Sequence, residues 1–357
     1  MWTGIWLLWS VLVPNTAVAE ESRPLRFVFA AENEKERAAL LDSVARFEAA
    51  HPDIDVEPVP FRWSGYGFHD TLVRLLALED PSIDVYRIDV PWIPELAAPG
   101  WLLPLDSHID AAEQAHFVPV TLEGGRFGAS LYALPLSLKG NLLFYRADLL
   151  EAHGLQPPET LDALNQQASL LRQAEGLKAG LALHPAYFYN DVLPMLWASG
   201  GDVLAEDGSV VLDSAVNATT LDTLAQMVGD TPDAAVPRAH FHGAWAESYS
   251  ALFDDFRAGD VAFAITWSPR WHGLTGSPVE GRVGVAPVPG LTPGAGSSNL
   301  GSYYLAINAF STQPEAAVEF LRFMTGAEAQ AARIEMMGEV PARTDLLKDP
   351  DTLAAHP

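Results

Sequence analysis

Val85-Tyr86-Arg87-Ile88-Asp89-Val90-Pro91-Trp92, running on through Glu95-Leu96 to Gly100-Trp101-Leu102-Leu103-Pro104-Leu105-Asp106, is the stretch that decides the fold. A β-branched and aromatic run ends on a carboxylate. A Trp on a turn follows, then a short helix closed by Gly100. Open α/β sheets bind ligands at the carboxyl ends of their strands, which puts Asp89 at a cleft edge. A carboxylate beside an aromatic is the basic equipment for holding a sugar, with oxygens for hydroxyl donors and a ring face for the C–H patch.

Outward from this block the pattern alternates. Upstream, Leu25-Arg26-Phe27-Val28-Phe29 reads as a half-buried strand. A helix over 34–50 carries Leu40, Val44 and Phe47 on one face and acids in its first turn, where the dipole favours them. His51-Pro52 stops it, Ile54-Asp55-Val56 opens a second strand, and a loop with Trp63, Gly65, Tyr66 and Gly67 leads to a helix over 71–78. Strand, helix, strand, helix, strand is a parallel α/β lobe. Downstream, strands are expected at 131–135, 141–146, 261–265, 282–286 and 303–307. Helices are expected at 147–153, 160–175 (with Thr160 as N-cap), 213–228, up to Gly259, and 315–324. Residues 287–298, rich in Gly, Pro and Ser, read as an exposed loop.

At 357 residues the chain exceeds the usual single domain, so two lobes are expected. A net charge of −25 with no basic run argues against nucleic acid and anionic membrane partners. Cysteine is absent, which excludes disulfides, a thiolate metal site, a Cys nucleophile and a lipid-modified Cys anchor. Residues 1–19 hold an apolar stretch at 5–13 and end Ala17-Val18-Ala19, an A-x-A cleavage signature. The run is too short to span a bilayer, so removal after Ala19 is expected, although no Lys or Arg precedes it.

The ordered motifs resemble the extracellular solute-binding proteins of bacterial ABC importers, in the carbohydrate-binding branch with the maltose- and trehalose-binding proteins. The matching pieces are Phe47-Glu48-Ala49-Ala50-His51-Pro52-Asp53-Ile54, the 84–106 block, Tyr132-Ala133-Leu134-Pro135, and Leu143-Phe144-Tyr145-Arg146-Ala147-Asp148-Leu149-Leu150. Further along come Phe256-Arg257-Ala258-Gly259-Asp260-Val261-Ala262-Phe263 with Trp267, Val283-Gly284-Val285-Ala286-Pro287-Val288-Pro289-Gly290, Leu300-Gly301-Ser302-Tyr303-Tyr304-Leu305-Ala306-Ile307, and Glu339-Val340-Pro341-Ala342-Arg343. The resemblance implies a two-lobed α/β fold, each lobe a sheet flanked by helices, with a cleft that closes by hinge motion. By that pattern the first lobe is 20–136 plus 287–308 and the second 137–286 plus 309–357. It also implies a free periplasmic monomer that passes a saccharide or polyol ligand to the transmembrane subunits of an ABC permease.

Candidate ligand-binding residues follow from placement and from the resemblance. Asp89 ends its strand, with a helix N-cap as its alternative role. Glu32 and Asn33 follow the first strand; Glu32 would serve equally as a first-turn acid. Trp63 and Tyr66 sit on a Gly-flanked loop, facing sugar or lidding the next helix. By the resemblance, Trp267 is the stacking ring of the second lobe, Trp271 a second ring, and Tyr303 a cleft aromatic, with Tyr304 on the opposite face in the core. Arg343 reaches the cleft or is solvated. The departure from the relatives is Ser137-Leu138-Lys139-Gly140-Asn141, where they carry an aromatic and an Asp in place of Ser137 and Lys139. If Lys139 faces the cleft, with Asn141 beyond it, the hydroxyl pattern changes or the ligand bears negative charge, so a ligand other than plain trehalose or maltose is expected.

No nucleophile elbow, P-loop or dinucleotide fingerprint is present, and no cofactor is expected. His240-x-His242 lacks further ligands at metal-site spacing. A glycosidase's paired acids are not readable from spacing among 46 Asp and Glu residues. Two alternatives to a binding protein for transport therefore stay open: a carbohydrate-active enzyme, and a module reporting to a membrane sensor kinase.

Overall fold

The structure, a computed structural model, describes residues 23–62, 66–183, 188–205, 207–229, 231, 233–237 and 245–355, without the side chains of 66, 188, 245–250 and 252. The export segment, Trp63, the Tyr66 side chain and His240-x-His242 therefore lie outside what is described. No helix among the described residues is long and apolar enough to cross a membrane.

Nine strands form two sheets. They are β1 (Leu25–Ala31), β2 (Val56–Arg62), β3 (Val85–Asp89), β4 (Ala133–Pro135), β5 (Asn141–Arg146), β6 (Ala179–Ala182), β7 (Val261–Trp267), β8 (Val283–Ala286) and β9 (Tyr303–Ile307). The first sheet has the order β2-β1-β3-β9-β4 and the second β8-β5-β7-β6. β1 runs parallel to β2 and β3, as the strand–helix–strand reading requires, while β9 lies antiparallel between β3 and β4. In the second sheet β7 is antiparallel to β5 and parallel to β6.

Each sheet is buried on both faces. Val85 of β3 joins Phe27, Phe29 and Phe47 in one core, whereas Tyr86 and Ile88 join Phe68, Leu72 and Leu76 in the opposite one. Helices cover these faces: α1 (Glu34–Ala50), α2 (Tyr66–Ala77) and, on the second sheet, α3 (Leu161–Glu175) and α4 (Trp245–Ala258). Thr160 caps α3 through Ala163 N–H, as its position suggested. Gly100 takes φ +80°, a left-handed conformation that favours glycine after the short helix Ile93–Ala97.

Two placements differ from expectation. The resemblance puts residues 309–357 in the second lobe, but α5 (Pro314–Thr325) packs on the first sheet and α6 (Ala327–Met337) on α1 and α5. Ala317, Phe320, Leu321 and Met324 share a core with Phe27 and Phe47, and the Phe320 ring lies 5.1 Å from each of those two rings. The apolar stripe of α5 thus meets the phenylalanine face of β1 and α1. Conversely, 287–298 is neither free loop nor part of the first lobe. Val288–Pro289 pairs with Gly296–Ser297, Val288 is buried in the second core, and Gly290 O accepts from Leu161 N. A buried Val and a strand partner outweigh the Gly/Pro composition.

The lobes are joined where 136–140 and 299–302 cross side by side. Leu136 N donates to Tyr303 O, Gly301 N donates to Lys139 O, and Gly140 bridges Leu300.

Candidate functional site

Glu32, Asp89 and Tyr303 are brought together by the register of the first sheet. Tyr303, the first residue of β9, lies directly opposite Asp89, the last of β3, and cross-strand partners share a face. The Tyr303 hydroxyl donates to Glu32 Oε1 at 2.7 Å. Asp89 accepts from Val90 N at 2.9 Å and so caps the 3₁₀ turn Val90–Trp92, the alternative role foreseen for it. Burial pushes its carboxyl up to about 6 against an ordinary 3.8, with Lys139 and Arg87 opposing from further away. No cation forms an ion pair with it among the described residues.

Lys139 faces inward. Its ammonium lies 3.6 Å from Glu32 Oε1, 3.8 Å from Glu36 Oε1 and 4.4 Å from the centre of the Tyr303 ring. Glu32 is held below the usual carboxylate range, first by that ammonium, then by the Tyr303 hydroxyl, Arg87 and Arg270, with burial opposing. Arg87, buried in the middle of β3, pairs with Glu36 and donates to Ala30 O, and its guanidinium sits 3.6 Å from the Tyr303 ring centre. Tyr303 is 94% covered and carries two cations against its ring, so its ring is occupied by protein groups and its hydroxyl by Glu32. Behind this group Arg333 pairs with Glu339 at 3.0 Å and donates to Leu136 O.

The second sheet contributes Asn141 and Trp267, which face each other across β5 and β7. The Trp267 ring packs on Gly301. A Cβ there would stand 2.2 Å from Cζ3, so only glycine admits the ring. Gly301 is two residues before Tyr303, and the segment Gly301-Ser302-Tyr303 therefore touches Trp267 at one end and Asp89 at the other. Ser298 Oγ donates to Asn141 O at 2.8 Å. Asn141 itself is fully buried, and neither of its amide atoms has a hydrogen-bond partner among the described residues.

Other expected residues are placed elsewhere. Asn33 Oδ1 accepts from Glu36 N at 2.9 Å, so Asn33 is the N-cap of α1, and Glu36 Oε2 accepts from the preceding Glu32 N at 2.6 Å. Trp271 leans on Phe144, centres 6.1 Å apart, and Phe144 belongs to the core on the opposite side of β5 from Asn141. Arg343 is fixed by Asp345, 2.7 Å away, and by the Phe117 ring at 5.6 Å, and is turned into the first lobe. Tyr304 is core, as expected, its hydroxyl donating to Thr121 O.

Arg87, Glu36, Asn190 and Asn299 escaped the sequence reading. For Arg87 a signal existed, since one arginine within a buried strand demands a buried acid.

Two α/β lobes meeting at hydrogen-bonded crossings, with acids at sheet tips on one side and a Trp on the other, define a hinged solute-binding protein. The chain belongs to the bacterial extracellular solute-binding proteins, whose pattern it matches over residues 31–331. It is 30% identical over 294 residues to a probable ABC transporter-binding protein of Deinococcus radiodurans, covering 79% of this chain and 67% of that one. It is 26% identical over 330 residues to the galactooligosaccharide-binding protein of Bacillus subtilis, covering 89% and 73%. Among solved structures, maltose-bound T. maritima MalE3 superposes with a TM-score of 0.77 at 31% identity, over 93% of this chain and 85% of that one.

Proposed function

We propose that this protein is the periplasmic binding component of an ABC importer. It captures a carbohydrate or polyol-like solute between its lobes and presents the closed form, as a monomer, to the permease subunits. Residues 1–19 would direct export and be removed by cleavage after Ala19. Asp89 accepts from ligand hydroxyls, Glu32 contributes the oxygen that Tyr303 and Lys139 leave available, and Trp267 covers a C–H face of the ligand. The observation that carries this reading is the three-residue segment Gly301-Ser302-Tyr303, which couples Trp267 of one sheet to Asp89 of the other. The binding proteins it resembles, named for maltose and galactooligosaccharide, support the ligand class.

The test is a thermal-shift screen of the mature protein with D-mannitol, D-galactose, maltose and galactobiose. A probe at 100 times its Kd stabilises the fold by about 2.7 kcal/mol through mass action. Asp89→Ala should abolish that shift and leave the unliganded protein folded. Recovery of cleaved oligosaccharide after incubation would replace this reading with an enzyme.

A further inference from the structure

We infer that the second lobe carries an amide-lined subsite, centred on Asn141, that reads a pair of neighbouring hydroxyls on an uncharged ligand. The inference rests on the binding role proposed above and specifies which groups in the second lobe perform it.

A primary amide brings two donors and an acceptor with two lone pairs. Leaving such a group buried and unbonded costs on the order of 1–3 kcal/mol per missing partner, so native interiors rarely do it. Asn141 does it with both its Nδ2 and its Oδ1 at zero exposure. It is not alone. Asn190, 2% exposed, and Asn299, 5% exposed, each leave Oδ1 without a partner among the described residues.

The three are linked. Ser298 Oγ holds Asn141 O, Asn299 follows it, and Asn299 Nδ2 donates to the carbonyl of Tyr189, which precedes Asn190. Trp267 stands directly across the sheet from Asn141, supplying an apolar wall. Such a cluster has acceptors in excess and donors at Asn141. A vicinal diol matches it: one hydroxyl gives its proton to Oδ1 while its neighbour accepts from Nδ2. A carboxylate or phosphate does not match it, because an anion has no proton for these carbonyls. The closest ammonium, that of Lys139, is already committed to Glu32 and Glu36. Access requires the crossing at 299–302 and the Tyr189 segment to part, a movement that hinge opening supplies.

The test is titration calorimetry of wild type, Asn141→Leu and Asn141→Ala with D-mannitol, D-galactose, maltose and galactobiose, beside thermal melts without ligand. Leucine is nearly isosteric and removes the unbonded amide. N141L should melt at or above the wild-type temperature and yet bind the best of the four probes at least about tenfold more weakly, one good hydrogen bond's worth. N141A, which adds no volume, should lose affinity likewise. A lower melting temperature with unchanged affinity would assign Asn141 to internal structure and overturn the subsite. D-galacturonate binding more tightly than D-galactose would overturn the uncharged ligand. A wild type that binds none of the four removes the functional reading itself, and the subsite with it.

Discussion

Ligand affinity should fall steeply in mild acid because of one carboxyl. Burial holds Asp89 at about 6 where an exposed aspartate titrates at 3.8. The difference of roughly two units is about 3 kcal/mol in favour of the protonated form within the unliganded fold. The sign follows from linkage. An acid raised on folding makes the fold relatively more stable as pH drops, and withdraws that stability as pH climbs through about 4 to about 6. Ligand hydroxyls donating to the ionised carboxylate act in the opposite sense and draw its pKa back towards about 4. With those two values, affinity at pH 5 should be about tenfold weaker than at pH 7, approaching about a hundredfold at still lower pH. Binding at pH 5 should release roughly 0.8 proton, read by calorimetry in buffers of different ionisation enthalpy. Asp89→Asn should bind weakly with a flat profile. Equal affinity at pH 5 and pH 7 for a protein still folded at both, or proton uptake on binding, would refute this role for Asp89.

Three further outcomes are expected. Lys139→Met removes the ammonium 3.6 Å from Glu32 while Glu36 keeps Arg87. Because the Glu32 side chain is 47% exposed, the cost should be only about 1–2 kcal/mol by urea denaturation, with the Glu32 carboxyl titrating higher in NMR. Gly301→Ala places a methyl 2.2 Å from Trp267 Cζ3 and must displace that ring. A shifted tryptophan emission and at least about tenfold weaker binding should follow, since one face-on aromatic contributes on the order of 1–3 kcal/mol; unchanged affinity would remove Trp267 from the site. Arg343→Ala loses its contacts with Asp345 and Phe117 alone, so stability should drop by about 1 kcal/mol or less with affinity untouched.

The strand–helix succession of the first lobe was legible because its signals are local. β-branched runs, a stop at His51-Pro52 and a glycine at 100 each act within a few residues. The seating of the C-terminal helices was not. α5 shows a strong apolar face, but a stripe of Ala317, Phe320, Leu321 and Met324 states only that something apolar covers it. Which sheet does so depends on Phe27 and Phe47, some 270 residues earlier, and no local pattern encodes that pairing. The same holds for Val288, whose burial in the second core overrides a composition that reads as loop.

At the site, strand ends were readable and partners were not. Asp89 and Glu32 were placed at strand ends because the end of a strand is a position in the sequence, and the structure has them there, with Trp267, assigned by resemblance, closing β7. The state of each depends on distant neighbours: Asp89 rises with burial, while Glu32 is held down by Lys139, more than a hundred residues away. Lys139 shows why this matters. The lysine turns inward and lies within ion-pair distance of two acids, Glu32 and Glu36. That leaves Asp89 as the acid of this cluster with no ion-pair partner among the described residues, bonded to the backbone N–H of Val90. On the proposed reading, recognition on the first lobe rests on Asp89, poised near pH 6, and on the Glu32 oxygen that Tyr303 leaves available.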